Sequence, residues 1–268
     1  DLVFARPGAG LDEVMEPHVV SVRTDTDREQ VTELVQRYRL IAIPVVGDDE
    51  RLVGMVKVAE AMEALAEEAT EDIAVMVGAG EEETIFTPVS VSVRRRLPWI
   101  AFNLVVGVVI AYVIAQFESV LAGAVILAAY MPLVALLGGN SGAQSLAVII
   151  RSIAVGDLSR GRARRAIRRE MAVTMVDGLA IALLAALLGA LTVELFGDQS
   201  AVDPWEIGVI LFVAVIVSIV VGGLVGSGIP IVLRRMGQDP ALASNIFLTM
   251  TTDLVSFGGF LLTAALLL

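Results

Sequence analysis

Residues 130–151 read YMPLVALLGGNSGAQSLAVIIR, and how this stretch is understood decides the fold. Apolar side chains approach from both sides, yet its middle, Gly138-Gly139-Asn140-Ser141-Gly142-Ala143-Gln144-Ser145, is small and polar. The hydrophobic segment around it, residues 119–154, would be roughly 50 Å long as one helix at 1.5 Å per residue. That exceeds a bilayer core of about 30 Å, although tilt and protrusion into the headgroups absorb part of the excess. Two readings of the polar middle stand. Gly138 and Gly142 form a small-xxx-small pair suited to close helix packing. Asn140 and Gln144 are costly in lipid and belong where they face protein or a wet cavity, so the stretch also reads as the wall of a solute path.

The rest of the chain is two unlike halves. Of 268 residues 56% are hydrophobic, and the net charge is −11. Residues 1–93 carry 20 acidic and 7 basic side chains, a balance of −13, whereas residues 94–268 carry 10 and 12, a balance of +2. A strongly acidic soluble part therefore precedes a membrane part. Phosphate binding needs a basic surface, so no nucleic-acid partner is expected; cations suit the acidic half better. With no cysteine, disulfides and thiolate metal sites are excluded. The single His18 follows Glu16-Pro17 in a turn and reads as an exposed polar residue. No signal peptide is visible, and Asp1 starts in mid-pattern, as in a piece of a longer chain.

In the acidic half, residues 19–22 are β-rich, and residues 26–38 place Val31, Leu34, Val35 and Tyr38 on one helical face. Strands at 42–46 and 52–56 flank the acidic turn Gly47-Asp48-Asp49-Glu50, and a second helix is expected at about 58–69. The order β-α-β-β-α makes a small α/β module. This pattern resembles a CBS domain, with residues 17–77 as one copy and residues 1–16 as the tail of a preceding one. CBS pairs commonly bind adenine nucleotides through a Ser/Thr and an Asp three residues on. Lys57 and Glu60 stand at those positions here, so ATP is not expected as a ligand and the module reads as regulatory or dimerising. Between the module and the membrane lie Glu71-Asp72 and Glu81-Glu82-Glu83. Such runs are either solvated surface or hard-oxygen ligands for Mg²⁺ or Ca²⁺.

Five spans are expected in the membrane part, at about 97–117, 119–154, 167–196, 205–233 and 242–268. Arg94, Arg95 and Arg96 precede the first, seven arginines from Arg151 to Arg169 lie between the second and third, and Arg234 and Arg235 follow the fourth. The opposite loops hold no Lys or Arg, which places the N-terminal part in the cytoplasm and the C-terminus outside. Two acids, Asp177 and Asp253, sit well inside spans, where carboxylates are expensive and usually functional. Asn245, Thr249 and Asp253 are spaced four apart on one helical face, with Thr252 and Ser256 adjoining. That face must meet a partner helix or water. Asp177 has no such stripe and reads either as a buried structural carboxylate or as part of a transport path.

Four motifs, Arg94-Arg95-Arg96-Leu97-Pro98-Trp99, Phe117-Glu118-Ser119, P-x5-GGN-x-G-x-Q-S (132–145) and D-P-A-x-x-S-N-x7-D (239–253), resemble the MgtE family of magnesium transporters over the whole chain. The resemblance implies an α/β CBS domain (17–77), a connecting helix (78–96) and an all-α membrane domain (97–268) with five transmembrane helices per protomer. It further implies a homodimer in a cell membrane with the pore at its axis, between spans two and five. Mg²⁺ would then be selected at Asp253 and meet Asn245 along the pore wall. Cytosolic Mg²⁺ held among the acidic CBS and connecting segments would close the pore. Thr249 and Asn140 are further pore candidates, and Glu71, Asp72, Glu81, Glu82 and Glu83 are candidates for the sensor. Chemistry supports the assignment, because Mg²⁺ sheds its waters reluctantly and suits a path offering few direct ligands and many acceptors. An ion-coupled transporter of another solute using Asp177 and Asp253, a CBS-gated anion channel and a non-transporting membrane sensor are the other classes considered; an anion pore fits poorly with an intramembrane Asp. No nucleophile–base pair or phosphate loop suggests an enzyme.

Overall fold

The computed structural model describes residues 19–63, 83–154, 162–196, 202–240 and 244–268, together with Arg6, Gly10, Met15, Ala79 and Leu158. It divides into two compact units, Asp1–Thr70 and Glu71–Leu268, each with its own core.

In the first unit, β1 (Val22–Arg23) leads through α1 (Arg28–Tyr38) to β2 (Ala42–Val46) and β3 (Leu52–Lys57). β1 pairs parallel with β2, which α1 makes possible as the crossover, and β2 pairs antiparallel with β3 across the acidic turn. α1 buries Val31 and Val35 on Val22, Ile43 and Ala61, with Leu34, Val45 and Val56 packed around them. Its last turn closes with Arg39 in the left-handed region (φ 51°) while the Leu40 N–H donates to the Val35 carbonyl at 3.0 Å. β1 is shorter than the β-rich run suggested. The expected second helix is seen as a helical segment at residues 58–63, and its remainder lies outside the described residues.

The second unit consists of helices α2 (Val89–Ala115), α3 (Glu118–Gly123), α4 (Ile126–Ala154), α5 (Ala163–Phe196), α6 (Pro204–Arg235) and α7 (Ser244–Leu267). Five of them, all but α3, are long and apolar enough to cross a membrane. α6 is the centre and packs on α5, α4 and α7, while α2 lies against α7. The sequence of α6 suits that place: no charge separates Glu206 from Arg234, and Ala214, Ser218, Gly222, Gly223 and Gly226 keep its surface thin. At its start the Asp203 N–H donates to the Glu206 carboxylate at 3.2 Å and Pro204 occupies the first turn. At its end, where the helix dipole favours cations, stand Arg234 and Arg235, and Gly237 (φ 73°) turns the chain out.

Two boundaries differ from the sequence reading for physical reasons. α2 begins at Val89, so the arginine triplet and Leu97 belong to one continuous helix that runs through Pro98. A proline removes one backbone N–H, and the apolar residues beyond it continue the helix. The segment at 119–154 is two helices, because Ala124 (φ −142°, ψ 73°) leaves helical geometry between α3 and α4. That break shortens the crossing helix to 29 residues, about 44 Å. The glycine- and amide-rich middle causes no break in α4.

Candidate functional site

The close approach of α4 and α6 sets the orientation of everything else. A Cβ on Gly138 would overlap the Ser218 side chain, and one on Gly222 would overlap the Gly138 carbonyl. One turn further on, a Cβ on Gly142 would stand 3.0 Å from the Gly222 carbonyl oxygen, and one on Gly226 would stand 2.9 Å from the Gly142 carbonyl carbon. Glycine alone lets the two backbones come this near. Hydroxyls stitch the seam: Ser141 Oγ donates to the Ile219 carbonyl at 3.3 Å, and Ser218 Oγ reaches the Val134 carbonyl at 3.2 Å. Ser218 and Ser256 share a further hydrogen bond, which fixes α7 on the same core.

With Gly138, Gly142 and Ser145 turned inward, the same helix must present Asn140, Ala143 and Gln144 outward, and all three are exposed. α7 is sorted the same way. Leu248, Thr252 and Ser256 are buried, with Leu248 against Leu146 and Ile150 of α4. Thr249 is exposed, while Asn245 and Asp253 are half-buried beside it. Thr252 and Ser256, expected to adjoin the polar stripe, are spent on packing; Thr252 Oγ1 returns to the Leu248 carbonyl at 2.9 Å. Leu248 touches the Gly142 level, and Ser256 meets Ser218, which lies against Gly138. Asp253 therefore lies between those two levels on α7, as Asn140 does on α4. Two open polar patches on adjacent helices share one depth.

Among the described residues, Asn140, Gln144, Asn245 and Asp253 make no side-chain hydrogen bond or ion pair. No group of three His, Cys, Asp or Glu gathers to hold a metal among the described residues either. On this face one chain thus offers a single half-buried carboxylate, Asp253, with the half-buried Asn245 and the exposed Thr249, Asn140 and Gln144. A cavity of about 430 Å³, lined by Ser119, Ala124, Val202, Glu206 and Ala265 among others, lies at the far end of α7 from Asn245.

The other candidates fall elsewhere. Asp177 is exposed, on the flank of α5, while neighbouring Gly178 faces Ile219 of α6. Within the single chain Asp177 is not buried: the thin Gly178 side is what packs, and the carboxylate one residue before it is turned away. Glu71, Asp72, Glu81 and Glu82 lie outside the described residues. Glu83 is described, with a side chain only 4% exposed, and it holds Arg96 in a two-pronged pair through Nε at 3.1 Å and Nη2. In the α/β unit the Glu60 carboxylate accepts the Lys57 N–H at 3.1 Å, starting the helical segment there. Glu170, unremarked in the sequence because it ends an arginine run, is a buried carboxylate paired with Arg169. Its signal was a lone acid three residues from the partly buried Ile167 and four from the buried Thr174.

Five helices long and apolar enough to cross a membrane, together with a small α/β module, make this a multi-pass membrane protein. Residues 131–263 match the family model described as a divalent cation transporter, MgtE, and residues 11–67 match that of the CBS domain. The chain is 36% identical over 271 residues to the magnesium transporter MgtE of Thermus thermophilus, covering 100% of this chain and 58% of that protein. It is 32% identical over 256 residues to the magnesium transporter MgtE of Bacillus subtilis, covering 96% and 55%. The chain belongs to the MgtE family. It spans a little over half the length of the curated relatives it matches.

Proposed function

We propose that this chain conducts Mg²⁺ across a cell membrane through a pore formed where α4 and α7 of two copies meet at a two-fold axis. One observation carries the reading: Asn140, Gln144 and Thr249 are exposed and Asp253 half-buried on two adjacent crossing helices, with Asp253 and Asn140 at one depth. A carboxylate near the bilayer centre costs on the order of 3 kcal/mol even on permissive scales, so this face is covered by protein and water rather than lipid. A second copy supplies both, and a two-fold axis brings two Asp253 carboxylates to one ion. Mg²⁺ keeps several waters when bound. Asp253 then neutralises charge while Asn245, Thr249 and Asn140 accept or orient hydrogen bonds from the hydrated ion. The names of the curated relatives support the choice of cation.

The same reading assigns regulation to the acidic half. Glu71, Asp72, Glu81, Glu82 and Glu83 would repel one another when empty and draw together around cytosolic Mg²⁺, a two-state element biased by its own ligand. For Glu83 the ion competes with Arg96. The arginine-rich loops support a cytoplasmic α/β unit and a C-terminus outside. The test is divalent-cation flux into proteoliposomes, with and without millimolar Mg²⁺ on the side of the α/β unit. Flux suppressed by that Mg²⁺ is expected. Proton-dependent flux of another solute with no divalent flux, or no flux of any kind, would overturn the proposal.

A further inference from the structure

α5 enters the membrane with Arg164, Arg165, Arg168 and Arg169 in its first two turns and Arg162 just ahead, and all five are exposed. The opposite side of these turns is anchored: Ala163, Ala166 and Ile167 pack with Ile149, Leu158 and Ile231. Arg234 Nη1 holds the Leu158 carbonyl at 2.8 Å, which ties that residue to the end of α6. The guanidiniums are thereby carried on a fixed support and turned away from the bundle. Cations are disfavoured at a helix N-terminus, where the dipole is positive. Among the described residues, Arg169 alone of these five has a carboxylate partner, Glu170. The charge is left to be met from outside.

What lies along the same face says by what. Continuing from Arg165 and Arg169 at helical spacing, the surface runs through Ala172 to Val176, Leu183 and Leu187, exposed by 68%, 57% and 65%. A cationic head region leads without interruption into an apolar strip parallel to the helix axis. α5 has 34 residues, about 51 Å, so with a core of about 30 Å its first turns stand at headgroup level. A free phosphate or an acidic protein segment would use the arginines and leave the strip unexplained. An anionic phospholipid uses both.

We propose that this face of α5 is a binding site for an anionic phospholipid, with Arg165, Arg168 and Arg169 on the headgroup phosphate and the Val176–Leu183–Leu187 strip under an acyl chain. The site is distinct from the α4–α7 face and does not depend on what that face conducts. The experiment reconstitutes the full chain with trace spin-labelled phosphatidylglycerol or phosphatidylcholine and compares the motionally restricted fraction of each label by electron paramagnetic resonance. The unaltered protein is expected to prefer phosphatidylglycerol, and the preference should weaken as salt is raised. Each headgroup arginine near the surface is worth about a fivefold change in association, so Arg165→Gln with Arg168→Gln should reduce the preference by roughly twenty-five-fold. Arg94→Gln with Arg95→Gln on α2 should leave most of it. Should the double variant fail to fold, the salt series and the single Arg165→Gln substitution on the folded protein decide the matter. Equal association of both labels would overturn the proposal, as would a preference unchanged by Arg165→Gln. Displacement of the label by millimolar inorganic phosphate, or by soluble polyglutamate at matched charge, would show a site for a free anion or an acidic peptide instead.

Discussion

Gly142→Ala is the sharpest test of the α4–α6 seam. The new methyl would stand 3.0 Å from the Gly222 carbonyl oxygen and 3.3 Å from its carbonyl carbon, with Leu248 also in the way. Leu248 can change rotamer; the Gly222 backbone cannot move unless α6 moves with it. Ordinary contact at 3.4–4 Å requires the helices to part by about half an ångström. A gap of 0.5–1 Å already forfeits roughly a quarter to a half of each dispersion contact along the seam, and overpacking in well-packed cores costs about 1–3 kcal/mol. Against this, alanine gains about 1 kcal/mol of helix propensity over glycine. Gly139→Ala and Gly228→Ala isolate that gain, because a Cβ at either meets nothing within 4 Å. The ordering expected from thermal unfolding in detergent, followed by fluorescence-detected size exclusion, is that Gly142→Ala lies below the unaltered chain. Gly139→Ala and Gly228→Ala should lie at or above it. Gly142→Ala as stable as Gly228→Ala would refute the packing argument, since the two would then differ only in propensity.

Asp253→Asn keeps volume and hydrogen bonding but removes a charge that interacts twice as strongly with Mg²⁺ as with K⁺. Even at the dielectric of water a carboxylate about 4.5 Å from the ion contributes roughly 2 kcal/mol for the divalent and 1 for the monovalent cation, so divalent preference should fall at least about fivefold per copy in reversal potentials. Unaltered selectivity would make that carboxylate structural. Joint replacement of Glu71, Asp72, Glu81, Glu82 and Glu83 by their amides should leave flux high in the presence of internal Mg²⁺, and inhibition that persists unchanged would exclude these five as the sensor. Calorimetry with ATP at physiological concentration should give little heat, because the Glu60 carboxylate already caps the Lys57 N–H; micromolar binding would contradict this.

The sequence by itself determined the two-part organisation, the number of crossing helices and the residue types that carry the polar face. These follow from local properties: runs of apolar residues long enough for a bilayer, charges that stay out of it, and polar residues spaced four apart on one helix. Asn245, Thr249 and Asp253 were legible on that basis. Which side of a helix meets a neighbour was not, because Thr252 and Ser256 have the same polarity as Thr249 and differ only in facing Ser218 and the core. Only the tertiary structure decided that Gly138 and Gly142 serve packing while Asn140 and Gln144 stay open on the other side of the same helix. The break at Ala124 was likewise hidden, since the one glycine beside it, Gly123, looks no different in the sequence from Gly138, Gly139 and Gly142, which interrupt nothing. The reach of α2 back to Val89 was hidden too, since charge marks where a membrane ends and not where a helix does. The exposure of Asp177 came last of all, fixed by the glycine beside it and by the width of α6 that this glycine admits.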